Sequence, residues 1–176
     1  MDYVRDRLAP RLEKLIDQKG FIVLNWGDAG WVHFFTKRPA KKLDDIRKMK
    51  LFIMAGDAEA LELYQSAGFQ PVPLATTDMM PALQTGLIDA FDVPPLLALL
   101  NQWFGVANHM IDVKWALLVG ATIVSKPTWE RIPEAVRPQM LQTARHVGQR
   151  LRGEIRKMGD DAVNAMKKRG LTVITL

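Results

Sequence analysis

KLFIMAGD at residues 50–57, AGF at 67–69, QPVPL at 70–74 and TTDMMPALQTGLIDAFDVPP at 76–95 alternate two kinds of segment. Leu51 to Ala55 is a short apolar run of strand length, and Gly56-Asp57 ends it where a helix can begin. Asp57 is the expected N-cap, because its carboxylate can accept from the free N–H groups of the first turn, and Glu59 suits the positive end of the helix dipole. Leu61, Leu63, Tyr64 and Ala67 supply an apolar face, and Gly68 can take the left-handed position that stops the helix. Pro71 and Pro73 keep the next strand at an edge or confine its hydrogen bonding to one side. Thr77 or Asp78 caps a second helix with Pro81 in its first turn and Gly86 at its end. The expected order is strand, helix, strand, helix, strand, a βαβ arrangement whose ligands lie beyond the carboxyl ends of the strands.

Working outward, Asp2 to Lys19 carries Val4, Leu8, Leu12, Leu15 and Ile16 at helical spacing, and Gly20 closes that helix. Phe21 to Trp26 and Trp31 to Thr36 read as two strands separated by a break at Gly27-Asp28-Ala29-Gly30. Trp26 and Trp31 flank it, placed either to stack on a ligand or to pack in a core. Lys41 to Lys50 holds a short charged helix, and Leu96 to Phe104 a short buried one ended by Gly105. Val113 to Val124 is longer than a typical strand, which suits a segment that bends or crosses between lobes. Ser125 caps a turn containing Pro127 and Trp129. From Ile132 to Arg169 runs the longest periodic segment, with Met140, Ala144, Val147, Leu151, Ile155, Met158, Ala162 and Ala165 on one face. Gly148, Gly153 and Gly159 inside it imply bends or close contacts, and Leu171 to Leu176 is a final strand.

The 176 residues, 48% hydrophobic, suffice for a packed core of one domain or one and a half. A net charge of +5 comes from Lys and Arg spread among 19 acidic residues, which describes a solvated basic surface and no nucleic-acid motif. The chain has no cysteine, which excludes disulfides, thiolate metal sites and thiol nucleophiles. His33, His109 and His146 lack the spacing of a zinc site, so neither metal nor cofactor is expected. No apolar run reaches the length of a membrane span, and Met1 to Arg5 does not begin a signal peptide. If the natural protein is exported, the signal is expected to lie outside this sequence.

Chemistry of an enzymatic kind finds no support. Asp57 and Asp78 read as helix caps and Asp89 as a turn residue. No carboxylate pair or nucleophile beside a histidine can be placed, and Ser125 lacks a G-x-S-x-G elbow.

Six pieces recur in a familiar order: GFIVL with Trp26, FFTKRP at 34–39, DDIRKMKL ending at Leu51, AGFQPVPL at 67–74, ALQTGLIDA at 82–90 and SKPTWERIP at 125–133. Together they resemble the solute-binding proteins of TRAP transporters, the DctP family, over nearly the whole chain. The resemblance implies an α/β, periplasmic-binding-protein-like lobe with a mixed sheet flanked by helices, plus a long C-terminal helix. The N-terminal lobe is then largely missing. Residues 1–176 correspond to the C-terminal part of a two-lobe receptor. Within them, 37–112 form most of the second lobe, and 113–176 form a crossover strand, the long helix and a final strand. Such receptors are periplasmic, close on a small molecule, often an organic acid, and deliver it to membrane permease subunits. The implied partners are a small-molecule ligand, the TRAP permease and, through the surface left by the missing lobe, a second copy of the chain.

Two positions depart from that pattern. Phe52 stands where the family commonly has an arginine that clamps a ligand carboxylate, and Val93 where a ligand-contacting asparagine often lies. Loss of a guanidinium removes two parallel charged hydrogen bonds. The resemblance with these departures implies a neutral, cationic or largely apolar ligand, one that is not a simple dicarboxylate. It would be held by Trp26, Trp31, Phe52, Phe91 and Trp115, with Asp92 as polar or charge partner. The alternative reading is a cytoplasmic effector-binding or regulatory domain on a similar framework.

Overall fold

The structure, a computed structural model, describes residues 2–175. Helix α1 (Asp2–Gln18) ends before Gly20, whose φ of 87° favours glycine. Its apolar stripe is not covered. Val4, Leu8, Leu12 and Leu15 are 37–49% exposed, whereas Arg5 is buried. Charge pairing explains the inversion, since the Arg5 guanidinium is drawn onto Asp2 at 2.9 Å and Asp6 at 2.8 Å.

Strand β1 (Phe21–Thr36) runs unbroken through the expected gap at 27–30. Pairing with a later strand carries it through, and the irregularity shrinks to one residue, Gly30, at a φ of 98°. Helix α2 (Leu43–Arg47) leads to strand β2 (Lys50–Met54) and helix α3 (Ala58–Ser66). As expected, Asp57 caps α3, its carboxylate accepting from the Ala60 N–H at 2.9 Å. The helix ends ahead of Gly68, at a φ of 82°. The expected apolar face is narrower than its sequence pattern, because Leu63 is 66% exposed.

Strand β3 (Gln70–Leu74) is an edge strand, which suits its two prolines. A single 3-10 turn at Thr76–Asp78 precedes helix α4 (Met79–Thr85), and Gly86 ends it at a φ of 74°. Asp78 occupies the N-cap position without a side-chain cap bond. Strand β4 (Ala90–Val93) follows. The segment expected as one helix over 96–104 is two pieces, helix α5 (Pro95–Leu100) and a 3-10 turn at Trp103–Gly105. Asn101 stops the first by donating to the Leu97 carbonyl at 2.9 Å, and Gln102 takes a left-handed φ of 55°.

Strands β5 (His109–Ile111) and β6 (Ala116–Ser125) precede helix α6 (Lys126–Glu130). Helix α7 (Arg137–Lys167) is a single 31-residue helix that keeps all three interior glycines, and strand β7 (Thr172–Ile174) closes the described chain.

The sheet is mixed, in the order β3-β2-β4-β1-β5-β7, with β6 paired to β1. Strand β2 is parallel to β3 and β4, and β5 is parallel to β7. Strand β1 runs antiparallel to β4 and β5. The chain divides into two compact units. One comprises residues up to Gly30 with Leu117–Lys157, the other Trp31–Ala116 with the residues from Met158 onward. The second has a core on both sides of its strands. Phe35, Phe52, Phe91 and Met110 lie in one cluster, and their neighbours Phe34, Leu51, Ala90 and Ile111 in the other, as strand alternation requires. In the first unit Leu118 and Ile123 on β6, and Val147 and Leu151 on α7, stay 38–47% exposed.

Candidate ligand site

Asp92 on β4 is an acid in an otherwise apolar strand, and it alternates onto the side of Phe34, Ala90 and Phe69. It is only partly exposed. Helix α3, fixed by its Asp57 cap, brings Tyr64 over this side, and the phenol O–H donates to Asp92 Oδ2 at 2.8 Å. The Trp115 Nε1–H in turn donates to the Tyr64 oxygen at 3.2 Å. The Trp115 backbone is held independently, its N–H donating to the Val32 carbonyl at 3.0 Å. Aromatic rings surround the chain of donors: Trp115 lies 5.2 Å from Phe34, and Tyr64 lies 5.3 Å from Phe69.

Burial dominates the electrostatics. It raises the Asp92 carboxyl to about 6, against the opposing pull of the Tyr64 hydrogen bond. Burial, with the Asp92 charge, likewise pushes the Tyr64 phenol well above its ordinary range. No lysine, arginine or histidine among the described residues contributes to holding the Asp92 charge. The nearby His33 is kept neutral by burial, its Nδ1 lying 3.2 Å from the Ile111 carbonyl. That oxygen can only accept, so Nδ1 carries the proton.

A contrasting acid lies in the other unit. The Asp28 side chain is fully buried, and Arg156 on α7 donates to its Oδ2 at 2.7 Å. Arg156 also grips Asp2 with two bonds of 2.8 Å. Asp28 borders an open depression of about 480 Å³ between β1, β6 and α7, lined by Asn25, Leu118, Thr122 and Leu151 among others.

The six residues expected at the site fall in different places. Asp92 and Trp115 are brought together through Tyr64. Phe52 is 7% exposed and Phe91 wholly buried, both in the core cluster on the opposite side of the strands, where Phe91 stacks on Phe35 at 5.2 Å. Trp31 is partly buried under the Lys114 ammonium, 5.6 Å from its ring. Trp26 belongs to the first unit and donates to Glu13 at 2.7 Å. Sequence reasoning passed over Tyr64, which reads as one more apolar residue of α3. The signal that could have found it is the lone acid in β4, which needs a donor once buried. Among the described residues no group of three acids or histidines could hold a metal ion, and no helix is long and apolar enough to cross a membrane.

The sequence profile of the bacterial extracellular solute-binding proteins, family 7 (DctP), matches residues 3–176. The chain belongs to this family. Among DctP relatives, the C4-dicarboxylate-binding periplasmic protein DctP of Rhodobacter capsulatus is 26% identical over 157 residues, which is 89% of this chain and 47% of that protein. A solute-binding protein of Verminephrobacter eiseniae is 23% identical over 159 residues, 90% of this chain and 47% of the relative. The chain thus spans about half the length of the curated relatives it matches. The fold agrees with that of a TRAP periplasmic solute-binding protein from Pseudomonas putida, solved with bound D-glucuronate. The TM-score is 0.88 at 22% identity, over 100% of this chain and 59% of that one. A TRAP solute-binding protein from Desulfovibrio salexigens with bound orotic acid gives 0.87 at 20% identity, over 99% and 56%. The mixed sheet and the long α7 are therefore the DctP framework, and these relatives are solute-binding proteins.

Proposed function

We propose that this DctP-family chain works in the periplasm as the solute-capturing receptor of a TRAP-type secondary transporter. It takes up a small molecule by closure of two α/β lobes and delivers it to the membrane permease subunits. The observation that carries the reading is the family match over residues 3–176. In this reading residues 37–112 form most of the second lobe, and 113–176 supply the crossover strand, the long helix and the final strand. Asp92 and Trp115 contact the ligand, with Tyr64 and Phe34 as their aromatic surroundings, while Phe52 and Phe91 back the strands from the core side. The ligand is not a simple dicarboxylate, because neither Phe52 nor Val93 can offer an anion a charged or polar hydrogen bond. Exposed Leu118, Ile123, Val147 and Leu151 favour self-association of the chain.

A thermal-shift screen of dicarboxylates, sugar acids, neutral solutes and amines, followed by co-purification with the permease subunits, tests the proposal. Stabilisation by a ligand outside the dicarboxylates is expected. Tight binding of succinate-like acids alone would overturn the ligand class, and failure to bind any solute or the permease would overturn the receptor.

A further inference from the structure

We propose that Asp92, Tyr64 and Trp115 form a subsite for a cationic head group of the ligand, a quaternary or protonated ammonium. The inference rests on the receptor reading and narrows its ligand class. A carboxylate removed from water needs a positive partner or a full set of donors, and here the protein offers one side-chain donor, the Tyr64 hydroxyl at 2.8 Å, beside the Asp92 backbone N–H itself. The charge is held in place but not neutralised. Asp92 is half-buried rather than sealed in the core.

The second element is Trp115. The residue is 44% exposed, yet its indole N–H is tied to Tyr64 at 3.2 Å and its ring lies 5.2 Å from Phe34. A half-exposed tryptophan tied through Tyr64 to a carboxylate with no cationic partner is the pairing that recognises ammonium groups, electrostatically through the acid and through the ring quadrupole. Tyr64 orders the two. Its hydroxyl hydrogen is spent on Asp92 and its oxygen accepts from Trp115, which leaves no free donor there for an anion. Of the neighbouring charged groups, Arg47 lies over Phe69 and is paired with Asp44 at 2.9 Å, Lys114 lies over Trp31, and His33 is neutral. An anionic ligand group would therefore meet Asp92 with no intervening cation.

Calorimetric titration of the full chain with choline, with its neutral isostere carrying carbon in place of nitrogen, and with glucuronate as the anionic probe decides the matter. Choline is expected to bind about tenfold or more tighter than the isostere, and Asp92→Asn to erase that preference. Trp115→Leu, at a half-exposed position, weakens choline while leaving the fold intact by circular dichroism. Choline affinity falls as pH drops through about 6, where Asp92 gains its proton. Equal affinity for choline and its isostere, or a preference that survives Asp92→Asn, overturns the subsite. Glucuronate binding that Asp92→Asn leaves unchanged also overturns the subsite, but leaves the receptor reading standing. Binding of none of the three, together with no hit in the wider thermal-shift screen, overturns both.

Discussion

Asp28 and Asp92 are both acids on strands of one chain, and they are handled in opposite ways. Asp28 on β1 is fully buried, met by the Arg156 guanidinium at 2.7 Å, and that guanidinium is held in turn by Asp2. The arrangement pushes the Asp2 carboxyl well below, and the Arg156 guanidinium well above, their ordinary ranges, chiefly through the hydrogen bonds they share. Asp92 on β4 has only a phenol, and burial drives it the other way, up to about 6. The first acid ties α1, β1 and α7 together. The second has a phenol and no guanidinium as its side-chain partner.

The largest effect is expected where a buried acid has a guanidinium partner. Arg156→Met leaves Asp28 buried and uncompensated, and removal of one partner from a buried pair costs about 3–5 kcal/mol. Chemical denaturation of the variant measures it. The double variant Asp28→Asn with Arg156→Met should recover part of the loss, since no charge is then stranded. A cost below about 1 kcal/mol, the range of surface pairs, would erase the distinction between the two acids.

Asp92→Asn should act in the opposite direction. With a folded value of about 6 against about 3.9 in the unfolded chain, the folded state binds more protons between those limits. Unfolding free energy from this group therefore falls as pH rises from about 4 to about 6 and is flat above that window. Replacing the acid by its amide removes that slope and stabilises the chain at neutral pH by about 1–3 kcal/mol, less whatever the Tyr64 bond loses. Denaturation midpoints at three or four pH values give the slope directly. A stability that rises across the same window would mean that Asp92 has found a cation.

The contrast between the two acids explains which parts of the molecule were legible in its sequence. Caps and stops read well: Asp57, Gly68, the edge prolines of β3 and Gly86 all act within a few residues of where they stand. The family order of motifs read well too, over nearly the whole chain. What failed was set by distant partners. The glycine-rich gap at 27–30 stays in strand β1 because β6 pairs with that strand. Arg5 turns inward on an apolar-striped helix because acids hold it. At the site, Asp92 and Trp115 were visible as residues, but the Tyr64 link spans 28 positions to one and 51 to the other. Phe52 and Phe91 looked like pocket walls, yet their strands turn them into the core.

The smallest effect separates the charge at Arg156 from the packing that places it. Helix α7 carries Gly148 and Gly153 in its interior, where alanine normally gains up to about 1 kcal/mol. At Gly153 an added Cβ meets nothing within 4 Å, so Gly153→Ala should stabilise by about 0.5–1 kcal/mol. At Gly148 the same atom would lie 2.9 Å from the Asn25 Cβ and 3.0 Å from its Cγ. These atoms sit at the root of a short side chain, so β1 or α7 has to move, and overpacking of this kind costs about 1–3 kcal/mol. The propensity gain and the clash oppose each other at Gly148, and the net expectation is a loss of about 1 kcal/mol. Arg156 lies about two turns further along the same helix, so the shift also lengthens its reach to Asp28. If Gly148→Ala and Arg156→Met are combined, their costs should add to less than their sum, because each spoils the same α7–β1 contact. Strict additivity would show that packing at Asn25 and charge at Asp28 hold the helix independently. The comparison between a neutralised and an open acid would then rest on Arg156 alone.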